Sequence, residues 1–215
     1  MAVTNAYCTV EELMGALGIK DTRDQVDLEA SIDTASRQLD SMCGKGRKFW
    51  QDATVVARTY YAEDDEVWVD DISTTTGLIV KADLDDDGTF ETTLTINTDF
   101  IVTPVNAAKE YPVRPYEKLV FLMDGAIGSI AENASGRPNI QVTAKFGWPT
   151  VPDAVQRACV LQARHVFKAA QSQNGLVQLA VDGSAIRMPL LDPMARLSIE
   201  PYIRYTPVND EDCDE

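Results

Sequence analysis

Between residues 54 and 147 this chain changes its hydrophobic period. On either side, apolar residues recur every third or fourth position; within the stretch they alternate. An amphipathic helix needs a period near 3.6 and a half-buried strand a period of 2, so helices must be interrupted here by sheet. TVVARTYYA, EVWVDDI, GLIVKADL, TFETTLTI, FIVTP, KLVFLM and NIQVTAKFGW read as short strands separated by turn residues. The expected class is α+β: a small helical bundle frame, a long antiparallel β insertion and an extended C-terminal arm.

The frame is legible from its ends. Thr9 and Glu12 form a capping box before a first helix with Leu13, Ala16 and Leu17 on its apolar side, closed by Gly18. Thr22 and Gln25 suggest a second box, opening a helix striped by Leu28, Ile32, Ala35, Leu39 and Met42 and ended by Gly44. WPTVP, residues 148–152, stops the sheet. Pro152 suits a first helical position, and the helix expected from there to about Ala170 carries Val155, Ala158, Cys159, Val166 and Ala169, widened by Leu161. The expected division is 1–53 for the first part of the frame and 54–147 for the β insertion. Residues 148–172 supply the third helix, 173–206 a hairpin arm with a short helix, and 207–215 a disordered acidic tail.

The arm is too apolar for a linker. Val177, Leu179 and Val181 alternate before Asp182-Gly183; Ile186, Met188 and Leu190 alternate after it. That is a second hairpin, followed by a short helix capped by Asp192, begun by Pro193 and broken by Pro201. A lone hairpin is marginal in water, and an open edge invites another chain. Leu179, Ile186, Met188, Leu190, Leu197 and Tyr202 are therefore the candidate assembly interface.

DLDDDGTFETTL, residues 83–94, begins like a calcium loop of the EF-hand type, with Asp83, Asp85 and Asp87 at positions one, three and five and Gly88 at six. The twelfth position is Leu94, which cannot ligate, and both flanks read as strands. The expectation is a β-hairpin with an acidic tip and no metal site. The run Glu63-Asp64-Asp65-Glu66 reads as another solvated hairpin loop.

No catalytic constellation emerges. His165 is the sole histidine and lies in a helical stretch. There is no serine elbow, and Gly44-Lys45-Gly46-Arg47 follows a helix where a phosphate loop precedes one. Neither catalytic residues nor cofactors are expected. Lys45, Arg47 and Lys48 form a candidate basic contact: they could grip phosphate, or complement a helix dipole or meet protein. The formal net charge of −15 opposes a DNA-wrapping role. The four cysteines form no C-x-x-C pair and suit a reducing cytoplasm, with Cys43 and Cys159 buried. No signal peptide or membrane span is expected.

The order of segments resembles the head–tail connector, or adaptor, family of long-tailed bacteriophages. TVEELMGALGIKDTRDQVDLEASIDTASRQLDSMCGKGRKFW is similar to its opening helix pair, and VTAKFGWPTVPDAVQRACVLQARHVFK to its strand, proline turn and third helix. DDDGTFETTLTINTDF and NAAKEYPVRPYEKLVF resemble longer forms of its β insertion, and LDPMARLSIEPYIRY its C-terminal segment. The resemblance covers roughly residues 6–205. It implies a homo-oligomeric ring, usually dodecameric, made in the host cytoplasm and placed at the head–tail interface of the virion. Such a ring docks under the portal protein, extends the DNA channel and offers a surface to a tail-side stopper or tail terminator protein. DNA passes through without sequence-specific binding, and no reaction is implied. The arm would then order against a neighbouring subunit or the portal. Two alternatives are a DNA-binding packaging factor and a calcium-dependent binding module.

Overall fold

The computed structural model describes residues 4–44, 47–62, 65–122, 136–171, 176–179, 185–187 and 190–204. The architecture is α+β, and the chain divides into two compact units: Met1–Arg47 with Val151–Glu215, and Lys48–Thr150.

The first unit is helical. α1 (Val10–Leu17) starts at the expected capping box: Thr9 Oγ1 accepts from the Glu12 amide at 3.2 Å, and Glu12 Oε2 accepts from the Thr9 amide at 2.8 Å. Gly18 closes it in the left-handed region. Leu13 is buried, but Ala16 is exposed. α2 (Gln25–Met42) begins later than expected, and the second capping box does not form. The Gln25 amide donates to the Thr22 backbone carbonyl at 3.3 Å, so a turn precedes the helix.

α3 (Asp153–Gln171) packs against α1, α2 and α4 (Pro193–Ile199). The Pro152 carbonyl accepts from Val155 and Gln156, placing Pro152 just before the helix. The buried stripe runs Val155, Ala158, Cys159, Val160, Gln162, Ala163 and Phe167. Val166, Ala169 and Leu161 are only half-buried. Reading apolar residues alone skipped Gln162 and so rotated the expected face away from Phe167. Cys43 and Cys159 are buried as expected, and Cys159 Sγ lies 3.1 Å from Cys8 Sγ. The arm hairpin is present: β8 (Leu176–Leu179) pairs antiparallel with β9 (Ala185–Arg187).

The second unit is an antiparallel β structure. Its strands among the described residues are β1 (Val56–Tyr60), β2 (Glu66–Ile72), β3 (Ile79–Ala82), β4 (Thr92–Leu94), β5 (Phe100–Thr103), β6 (Tyr116–Phe121) and β7 (Ile140–Ala144). Each falls within a segment read as a strand or begins just before it. One sheet has order β1-β7-β3-β4 and the other β2-β6-β5. Alternate residues of both sheets share one core, including Val67, Val80, Phe100, Leu119, Ile140 and Val142. This is the two-layer solution for sheets that are apolar on one face. β1 and β2 lie in different sheets, so the acidic run between them does not close the expected hairpin. Glu66 instead belongs to β2, where it takes an ion pair from Lys118.

The return from β7 is fixed by buried polar contacts. Trp148 Nε1 donates to Asp71 Oδ2 at 3.1 Å, and the Gly147 amide donates to the Asp71 carbonyl at 2.7 Å. Phe49 and Trp148 pack in a tilted pair, 5.3 Å between ring centroids and 49° between planes. Gly147 has φ 106°, and a Cβ there would stand 1.9 Å from the Trp50 carbonyl oxygen. No other residue type fits that crossing.

Candidate assembly surface

The segment leading into α4 is held at its root by three polar devices. Gln162 of α3, fully buried, donates to Gln38 Oε1 at 2.7 Å and to the Leu190 carbonyl at 3.2 Å. Its own Oε1 accepts from the Asp192 amide at 2.8 Å. Asp192 then caps α4, accepting from the amides of Met194 and Ala195, as expected from Asp-Pro. Beyond α4, a single 3₁₀ turn spans Glu200–Tyr202, where Arg47 Nη1 donates to the Tyr202 carbonyl at 2.7 Å. The Arg204 amide donates to the Cys43 carbonyl at 2.9 Å.

Above this anchored root the apolar residues face outward. Ala195 and Ile199 are the buried side of α4, while Met194 is 61% and Leu197 59% exposed; Leu190, before the helix, is 85% exposed. Three large apolar side chains on and just before one short, well-fixed helix are left exposed, as at surfaces that meet a partner.

Of the expected interface residues, Leu190 and Leu197 stand in this patch. Tyr202 is half-buried beside it in sequence. Leu179 and Ile186 lie in the paired strands β8 and β9. The side chains of Leu179, Ile186 and Met188 lie outside the described residues. Met194 was missed, although a helix beginning at Pro193 puts Met194 and Leu197 three residues apart on one face.

Two residues of the candidate basic contact have partners within the protein. Arg47 is only 5% exposed and donates to the Tyr202 carbonyl of its own chain. Lys48 is paired with Asp52 at 2.5 Å and lies 3.8 Å from the Trp50 ring centroid. Lys45 lies outside the described residues. The acidic loop behaves as the hairpin reading required: β3 and β4 pair antiparallel, Val80 opposite Leu94 and Ala82 opposite Thr92. His165 sits half-buried on α3.

Two further surfaces belong to the β unit. β1 is a sheet edge whose first residue, Val56, is exposed along with Val55 just before it, and Tyr111 is 91% exposed. Open edges of this kind accept strands from other chains. Among the described residues, no helix is long and apolar enough to cross a membrane.

No family model matches this chain, and no curated protein matches it. Among solved structures it is similar to a chain of the one described as "Neck of empty GTA particle computed with C6 symmetry". The TM-score is 0.52 and the identity 14%, over 97% of this chain and 95% of that one. At this identity the likeness is one of fold, spanning nearly the full length of both chains.

Proposed function

We propose that this chain is a structural virion protein, a head–tail connector that assembles as a ring at the neck of a phage-like particle. The observation that carries the reading is the full-length fold likeness to a chain of a particle neck. The segment order points the same way from the sequence. In this reading the ring is a dodecamer docked under the portal protein. It extends the DNA channel and presents a surface to a tail-side stopper or terminator. The C6 symmetry of the similar neck admits rings whose copy number is a multiple of six.

Two features of the chain support the assignment. The patch of Leu190, Met194 and Leu197 on an anchored helix suits burial by a neighbouring subunit or by the portal. The net charge of −15 suits a channel wall along which DNA slides, because each fixed cation on a phosphate adds affinity and drag. In this reading the acidic residues face the lumen. The role is structural, with no reaction assigned.

The packaging-factor reading is weaker, because Arg47 and Lys48 are both engaged within the protein. Native mass spectrometry of the purified chain with portal protein tests the connector reading: a ring-sized complex is expected, and its absence at all concentrations would count against it. Duplex binding that weakens steeply with salt would favour the packaging factor instead.

A further inference from the structure

The β3–β4 loop holds a cluster of oxygen atoms that the hairpin alone does not explain. Between Asp83 and Glu91 stand five carboxylates, those of Asp83, Asp85, Asp86, Asp87 and Glu91. The loop gathers four of them: Asp83, Asp85, Asp87 and Glu91 each bring one oxygen into a set whose members all lie within 4.8 Å of one another. Mutual repulsion should drive such a set apart.

The independent observation is at Asp83. This residue is only 5% exposed. Its Oδ2 accepts from the Gly88 amide at 2.8 Å, whereas its Oδ1 is buried and accepts no hydrogen bond. A carboxylate oxygen shut from water without a donor is costly. Here it belongs to a carboxyl group gathered with three others, and a bound cation would satisfy it. Arg137 approaches the loop, its Nη1 3.7 Å from where a Cβ on Gly88 would stand. One guanidinium offsets one of five charges.

The spacing explains how strands can do what an EF-hand does with helices. Asp83, Asp85, Asp87 and Glu91 occupy positions one, three, five and nine, and Gly88, φ 93°, makes the sharp turn at position six. Leu94 at position twelve is buried in β4 opposite Val80 and plays no part. Its absence as a ligand counts against a helix–loop–helix site only. In this hairpin, Glu91 stands one residue before β4 and supplies the fourth carboxylate from the returning strand.

We propose that the β3–β4 loop is a divalent-cation site of the calcium type, with Asp83, Asp85, Asp87 and Glu91 as carboxylate ligands. Calcium–oxygen distances of about 2.3–2.6 Å put oxygens on opposite sides of the ion about 4.6–5.2 Å apart. A set spanning no more than 4.8 Å closes around calcium almost as it stands. Magnesium, at about 2.0–2.1 Å, demands strict octahedral geometry and keeps several waters, which a set of four protein carboxylates suits less well. The bound ion would tie the exposed tip of the hairpin to its buried base at Asp83. This site is independent of the connector reading and stands or falls separately.

The test is calcium titration of the intact, chelator-treated protein by calorimetry, paired with thermal unfolding in calcium and in magnesium. One saturable site is expected, with a raised unfolding temperature in calcium and a smaller rise in magnesium. Asp85→Ala, at an exposed position, should weaken binding by at least about tenfold while leaving the metal-free unfolding temperature unchanged or raised, since it relieves repulsion. Asp83→Asn should abolish binding, and Glu11→Gln, on α1, should leave it intact. No heat and no temperature shift at about 5 mM calcium would overturn the proposal, as would binding that survives Asp85→Ala, or equal preference for magnesium.

Discussion

Gln162 donates to Gln38 across α2 and α3, at 2.7 Å, from a position with no exposure to solvent. The same side chain holds the Leu190 carbonyl and the Asp192 amide, so one buried amide joins two frame helices to the root of the arm. Replacing it by an apolar residue of similar size leaves three partners without their bonds. Those partners are only part-buried and regain water in part, so Gln162→Met should cost about 1–3 kcal/mol in chemical denaturation, the order of one stranded polar group. A change within about 0.5 kcal/mol would show that the clamp contributes nothing net.

Leu39 is fully buried in α2, and Leu39→Ala should cost about 2–5 kcal/mol. Gln38 stands beside it in sequence and is not an idle surface position. Gln38→Ala should lose about 1 kcal/mol through the missing bond to Gln162. Equal denaturation midpoints for the two variants would contradict the packing described for α2 and α3.

At Gly147 a methyl group has nowhere to go, with the Trp50 carbonyl 1.9 Å from its position and the backbone at φ 106°. Gly147→Ala should destabilise the β unit by roughly 3 kcal/mol or more, from strain and overpacking together. Wild-type stability for this variant would mean that the crossing of the two segments is wrong.

Tyr60 donates its hydroxyl to Asp70 at 3.0 Å, and burial, reinforced by the Asp70 charge, pushes its phenol above its ordinary value. The folded state therefore keeps a proton that the unfolded chain releases near pH 10. The contribution is complete below that pH and is lost as pH rises beyond it. Between about pH 9 and 11, stability should fall more steeply for the wild type than for Tyr60→Phe, measured by urea midpoints. Parallel curves for the two proteins would remove Tyr60 as the titrating group.

Much of the architecture was legible because local and global signals agree. The period switch located the sheet strands, and the Thr9 box and the Asp192-Pro193 pair located two helix starts. What failed to show had physical reasons. Gln162 is polar by composition and buried by pairing, so a hydrophobic stripe passes over it. Arg47 looks like a free cation until the Tyr202 carbonyl, distant in sequence, is brought to it. Strand order depends on long-range pairing, so adjacent β1 and β2 were read as one hairpin although they join different sheets. At the acidic loop the alternation of carboxylates was plain, but the orphaned Asp83 oxygen and the approach of Glu91 exist only in three dimensions.

The patch on α4 separates assembly from folding. Met194 and Leu197 are largely exposed, so Met194→Ser with Leu197→Ser should shift monomer stability by no more than about 1 kcal/mol. The same double variant should lose the ability to join a ring or bind portal in sedimentation experiments. Ile199→Ala, a buried control, should instead lower stability by about 2–5 kcal/mol. Unimpaired assembly by the double variant would remove α4 from the interface.

The central claim is a ring around DNA at a particle neck, and cryo-electron microscopy of the chain assembled with its portal protein tests it most directly. The account predicts a closed ring with copies in a multiple of six, the Leu190, Met194 and Leu197 patch covered, and a lumen lined mainly by Asp and Glu. A chain that stays monomeric beside the portal would contradict it, as would a ring whose lumen is lined mainly by Lys and Arg.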